Sequence, residues 1–204
     1  PSIKYFHNPF LMKGLEKSIR RIFKAMFLNE TIFILGDSDA DGISAASIIF
    51  NQLKEQGGKV KALILNREED GRGLSKKLIK KVLKVNSAVL ITCDLGINDH
   101  DLIDFATENG VDVIIADHHM PLKKNMSVFS IINPKQVGCI YPFKELSASG
   151  IALKLVQGME KFENKNFMEI YDAVSLAMLG TISDMVSLTD ENRLIVSIGL
   201  KNLK

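Results

Sequence analysis

Apolar residues fall at Leu11, Leu15, Ile19, Ile22 and Met26, with Lys13, Lys17, Arg20 and Lys24 between them, so residues 11–28 predict an amphipathic helix with a solvated face. From residue 31 onward the pattern changes to short apolar runs separated by helical periodicity. Residues 31–35, 59–65, 88–93, 111–116 and 128–132 predict five strands, the last of them short. Residues 42–56, 75–85 and 99–109 predict the intervening helices, the first stopped by Gly57-Gly58 and the third by Gly110. Residues 120–125, with Pro121 and paired lysines, predict a surface loop. The remainder is helical in pattern, over residues 148–162, 168–183 and 192–204. Strands that are apolar throughout and alternate with helices imply an α/β fold: a mostly parallel sheet flanked by helices, with a helical C-terminal part. Ligands of such sheets bind beyond the carboxyl ends of the strands.

Those ends are where the polar chemistry is concentrated. Gly36-Asp37-Ser38-Asp39-Ala40-Asp41-Gly42 places three carboxylates within five residues directly after the first apolar run. Asp94 ends the run 88–93, and Asp117-His118-His119 ends the run 111–116. Anions about 4 Å apart repel by roughly 1 kcal/mol even in bulk water, and by several times that near a protein, so a cation is expected among them. Three runs that each end in carboxylate or imidazole predict one metal site, with phosphate binding as the other use of paired histidines. Asp184 ends the otherwise apolar stretch 176–183, and coordination or a hydrogen-bonded cap would each explain it.

Other readings of the acidic turn fit less well. A calcium-binding EF-hand loop needs Glu at its twelfth position and a helix before it, whereas Ile48 and a strand stand there. A dinucleotide-binding turn needs glycines where this one carries anions. Helix capping accounts for one aspartate but not for three. His7 and His100 have no acidic company and are predicted to be surface residues.

Composition narrows the classes further. With 204 residues, 46% hydrophobic and 25% charged, the chain is expected to form one globular domain, neither disordered nor membrane-embedded. No apolar stretch approaches the roughly 18 residues of a membrane helix, and no secretory leader is visible, so a cytoplasmic location is expected. Opening at Pro1 and breaking off at Lys204 in mid-helix pattern, the sequence is expected to be a piece of a longer protein. Cys93 and Cys139 form no C-x-x-C pair; neither a disulfide framework nor a zinc knuckle is indicated, and Cys93 is predicted to be a small core residue. A net charge of +2, no Trp and three Tyr do not announce a nucleic-acid partner, and the lysine face at 76, 77, 80, 81 and 84 is expected to be a solvated exterior.

Taken together, GDSDADG, ITCDLG around Asp94, ADHH ending in His119 and LGTISD ending in Asp184 resemble the four ordered motifs of the DHH phosphoesterase superfamily. HNPFLMKGLEKSIRRI, NREEDGRGL, SASGIALKLV and LGTISDMVSLTDENRLIVSIGLKNL point to one branch. They resemble the catalytic core of the bacterial RecJ family, 5′ to 3′ exonucleases specific for single-stranded DNA in repair and recombination. The resemblance covers essentially the whole chain and implies a single DHH core over residues 1–204, without the DHH-associated and oligonucleotide-binding domains that normally follow. It implies two divalent cations, manganese or magnesium: Asp39 on the first, Asp41, His118 and Asp184 on the second, and Asp94 between them. His119 would contact or polarise the scissile phosphate.

One position departs from that family. Leu35 stands where a ligand histidine is usual, four residues before Asp39, which leaves Asp39 and Asp94 with water, or with Asp37, to complete the first site; residues 35 and 37 of one strand would point to the same side. Two alternatives accompany the exonuclease reading. One is a DHH phosphodiesterase for short oligonucleotides or small nucleotides, and the other a catalytically weakened core that binds nucleic acid or a replication complex.

Overall fold

The computed structural model describes residues 2–71, 73–122, 126–163 and 170–203. Its centre is a five-stranded sheet built from β1 (Thr31–Gly36), β2 (Val60–Ile64), β3 (Ser87–Cys93), β4 (Asp112–Ala116) and β5 (Ser130–Ile132). All four pairings are parallel and the spatial order is β2-β1-β3-β4-β5. Parallel neighbours need crossovers, and these are supplied by α2 (Ala40–Glu55), by α3 (Arg67–Asp70) with α4 (Lys76–Lys84), and by α5 (His100–Glu108). The helix α1 (Leu15–Phe27) precedes the sheet, while α6 (Ala148–Phe162), α7 (Tyr171–Ser183) and α8 (Asp190–Asn202) follow it.

Because successive side chains of a strand point to opposite faces, each strand feeds two separate cores. Ile32 and Ile34 of β1, Val89 and Ile91 of β3 and Ile114 of β4 join Ile19, Ile49, Ile151 and Val174 in the layer of α1, α2, α6 and α7. Phe33 and Leu35, Leu90, and Val113 with Ile115 join Leu78, Val82 and Ile103 in the layer of α4 and α5. β2 departs from the expectation of strands buried on both faces: it lies at the sheet edge, and Lys61 and Ala62 are exposed. A charged side chain on an edge strand discourages pairing with another chain.

The predicted elements are all present, with ends moved by local chemistry. The first helix begins at Leu15 because Gly14 is left-handed, at φ 85°, and a Cβ there would overlap Ile131 O; Leu11 belongs to a separate 3-10 turn, Pro9–Leu11. Helix α2 starts two residues early because Asp39 is its N-cap, accepting from Gly42 N at 3.0 Å. The short α3, capped by Asn66, has no hydrophobic period from which it could be read. The proposed start of the penultimate helix at residues 168–169, the loop tip 123–125, Arg72 of NREEDGRGL, Lys204 and Pro1 lie outside the described residues.

Two histidines do not sit where the sequence put them. His100, predicted at the surface, is buried in the first turn of α5. His7 is half-buried, with Nε2 2.9 Å from Asp190 Oδ1 and its backbone N–H donated to Glu191 Oε1. The N-terminal segment is held there by Lys154, whose buried ammonium donates to His7 O at 2.7 Å and Glu191 Oε1 at 2.9 Å. Cys93 is wholly buried, as expected, and the lysine face of α4 lies outward over buried Leu78, Ile79 and Val82. No helix among the described residues is long and apolar enough to cross a membrane.

Candidate metal centre

In this strand order the crossover direction reverses between β1 and β3, so a crevice opens beyond their carboxyl ends. The backbone joins the two ends directly, Asp37 N donating to Cys93 O at 3.1 Å and Asp94 N to Ala116 O of β4 at 3.0 Å. Asp94 turns out of β3 with φ 65°, a left-handed conformation that Asp and Asn tolerate better than most residues. This turn directs the carboxylate of Asp94, almost fully buried, across the carboxyl edge of the sheet.

Three sets of side chains converge, in each of which one donor atom per residue lies within 4.8 Å of the others: Asp37, Asp39 and Asp94; Asp94, His118 and His119; Asp41, His118 and Asp184. Asp94 and His118 are the members shared between sets. His118 Nε2 is 3.3 Å from Asp94 Oδ1 and 3.6 Å from Asp184 Oδ2. The 3.3 Å approach lacks hydrogen-bond geometry, so Asp94 Oδ1 and both ring nitrogens of His118 are buried without a hydrogen-bond partner among the described residues. Buried polar atoms are nearly always satisfied, and an orphaned Asp94 Oδ1 facing an orphaned His118 Nε2 among further carboxylates fits a site shaped for cations. The donors are carboxylate oxygen and imidazole nitrogen with no thiolate, which suits manganese or magnesium.

The electrostatics report the same strain. Burial, reinforced by Asp41 and Asp39 and only partly relieved by His118, pushes the Asp94 carboxyl up to about 7. Burial also raises Asp184. For His118, burial works against protonation, but Asp94 and Asp184 outweigh it and its pKa is raised. A cation would neutralise this collection of anions and displace those protons.

Asp117, one of the residues predicted at the site, plays a different part. Its Oδ1 accepts from His119 N at 3.0 Å and pairs with His119 Nδ1 at 2.7 Å, while Oδ2 accepts from Ile97 N at 3.1 Å. Burial alone would raise its pKa, yet the His119 contacts hold it below the usual range. Asp117 therefore orients His119, whose own pKa rises to about 9, first through that hydrogen bond. Asp184 stands at the C-cap of α7, its backbone N–H donated to Gly180 O, and its carboxylate lies with Asp41 and His118 in a set that could hold an ion.

Two contributors were not legible beforehand. Arg67 of α3 lies 3.2 Å from Asp37 Oδ2 and 3.3 Å from Asp39 Oδ2 and supplies a counter-charge on the open side. The backbone at the start of α6 holds Asp41, with Ala148 N donating to Oδ2 at 2.7 Å and Ser149 N to Oδ1 at 2.9 Å. The only sequence signals were the NREED and SASG stretches. Leu35 is wholly buried in the α4 and α5 layer, and Asp37 stands with Asp39 and Asp94 as a third carboxylate. Asp37→Ala is accordingly expected to weaken one of two manganese sites about tenfold or more, read by calorimetric titration. Unchanged affinities would mean that Asp37 is only a surface anion paired with Arg67.

The chain is similar to known proteins in sequence and fold. The family model for the DHH family, N-terminal domain, matches residues 31–181. The chain is 38% identical over 200 residues to the single-stranded-DNA-specific exonuclease RecJ of Bacillus subtilis (strain 168), covering 98% of this chain and 25% of that protein. Its counterpart in Dickeya dadantii (strain 3937) is 30% identical over 204 residues, covering 95% of this chain and 35% of that protein. A crystal structure of exonuclease RecJ bound to manganese superposes with a TM-score of 0.84 at 29% identity, over 93% of this chain and 48% of the other. RecJ from Thermus thermophilus in complex with Mn2+ gives 0.79 at 27% identity, over 93% of this chain and 27% of the other. This chain spans a quarter to about a third of the length of these two curated relatives.

Proposed function

Because this chain belongs to the DHH family, we propose that it is the core of a divalent-metal-dependent phosphodiesterase, a 5′ to 3′ exonuclease on single-stranded DNA. The observation that carries the reading is the position of Asp94, a buried carboxylate common to an all-carboxylate set and an imidazole set at the sheet's switch point. Similarity to RecJ exonucleases supports the substrate, and their manganese-bound structures support the cofactor.

Asp37, Asp39 and Asp94 would hold one cation, and Asp41, His118 and Asp184 a second, with Asp94 between the two. When bound, such a pair supplies an activated water and stabilises charge on the phosphoryl oxygens. The chain's own contribution is to hold these donors close despite their repulsion, through the α6 backbone, Arg67 and the tight turn at Asp94. His119 is the most exposed imidazole of the group, and Asp117 engages its Nδ1. That contact fixes the ring and favours the protonated form, leaving Nε2–H to donate to a phosphoryl oxygen.

Incubation with manganese and single-stranded DNA labelled at either end tests the proposal, with duplex DNA and a dinucleotide as comparators. Mononucleotides released first from the 5′ end of the single strand are the expected products. Cleavage of the dinucleotide alone would assign the chain to small-substrate phosphodiesterases, and binding without cleavage would make it a nucleic-acid-binding core.

A further inference from the structure

Asp41 is 1% exposed, yet no lysine or arginine among the described residues pairs with it. Its compensation comes instead from backbone. Ala148 and Ser149 are the first two residues of α6, and their N–H groups donate to opposite oxygens of the carboxylate, at the positive end of the helix dipole. The helix end is itself braced: Ser147 accepts from Gly150 N as N-cap, its hydroxyl meets those of Ser149 at 2.9 Å and Thr181 at 3.2 Å, and Ser149 Oγ donates to Ala177 O at 3.1 Å. Helix α7 can come this close because residue 180 is glycine; a Cβ there would overlap both Asp41 Oδ1 and Ser149 Oγ.

A carboxylate has lone pairs to spare after accepting two hydrogen bonds, but it is no longer free to rotate and offer both oxygens to one ion. Calcium favours flexible sites of six to eight oxygens, commonly with a two-oxygen carboxylate, whereas magnesium-sized ions favour rigid octahedral ones. We propose that Ser149 and Gly180 are positioning residues which lock Asp41 against the α6 N-terminus as a one-oxygen ligand. They thereby set the preference of the Asp41, His118 and Asp184 site for manganese or magnesium over calcium. The inference rests on the metal-centre reading above and adds to it the origin of cation selectivity.

Calorimetric titration of the protein with manganese, magnesium and calcium, each alone, separates the two. Wild type should bind two manganese ions and discriminate against calcium at one site. Ser149→Ala should lower manganese affinity at that site about tenfold and narrow the manganese-to-calcium ratio, with Ser149→Thr, which keeps the hydroxyl, restoring the ratio. Gly180→Ala should go further by displacing Asp41, leaving the other site intact. If Gly180→Ala does not fold, the Ser149 pair decides. Two manganese sites in every variant with an unchanged calcium ratio would overturn the positioning role while leaving the centre standing. No manganese binding by wild type would overturn the centre itself.

Discussion

Asp94→Asn is expected to reduce phosphodiester hydrolysis by about 1,000-fold or more while making the metal-free protein more stable at pH 8. Loss of groups that merely support a ligand costs about 10- to 100-fold, and Asp94 is itself the carboxylate common to two donor sets, so its loss should cost more. The stability effect has the opposite sign. In the folded chain the Asp94 carboxyl is pushed up to about 7, above the value near 4 that it has when unfolded. A carboxyl raised in this way favours the folded state fully below pH 4, and that contribution is lost as pH rises through 7. Asn cannot ionise, so the variant escapes the penalty. It also keeps the left-handed backbone at φ 65° that a bulkier residue would strain. A gain of about 2 kcal/mol, or roughly 4–8 °C in melting temperature for a domain of this size, is the expected order. Near-normal turnover would remove Asp94 from the reaction. A melting temperature lowered in the variant would show that the buried carboxylate is compensated in some other way.

The opposed signs explain why this centre was partly readable from the sequence. A strand buried on both faces has no reason to carry charge, so acids placed at the ends of β1, β3 and β4 stood out against Ile34, Ile91 and Ile114. Asp41, Asp94 and His118 were visible for that reason, and Asp184 because it ends the otherwise apolar helical stretch 176–183. What was hidden is what tolerates them. Ala148 and Ser149 act through backbone N–H groups, which carry no residue signature, and they lie 107 and 108 positions from the carboxylate they hold. Gly180 sits in a helix where a small residue looks unremarkable, and only the proximity of α6 gives its missing Cβ a meaning. Asp117 shares a strand end with His118, but both its oxygens are committed to Ile97 and His119, a use the sequence did not show. Strand parity suggested that residues 35 and 37 share a side. Because β1 ends at Gly36, the rule does not reach Asp37, and Leu35 belongs to the core while Asp37 turns into the crevice.

The same electrostatics predict how the cations and pH act together on stability. Without metal, the melting temperature should fall as pH rises from about 5 to 9. Asp94 contributes through the loss just described, up to pH 7. His119 contributes over the higher range: its pKa, raised to about 9 by Asp117, gives stability that is full below about 6.5 and is lost as pH climbs through 9. The imidazole is more than half exposed, so solvent screening makes its share the smaller one. Manganese should reverse the trend, because it competes with the protons that Asp94, Asp184 and His118 retain in its absence. At 100 times its dissociation constant a single bound ion stabilises by about 2.7 kcal/mol, which corresponds to roughly 5–10 °C here. The shift should therefore be large at pH 8, small at pH 6, and abolished by chelator at both. Thermal melts at the two pH values, with manganese and with EDTA, make the comparison directly. A manganese shift of equal size at pH 6 and pH 8 would mean that the ion binds away from these titrating groups, and the assignment of Asp94, His118 and Asp184 as its ligands would fall.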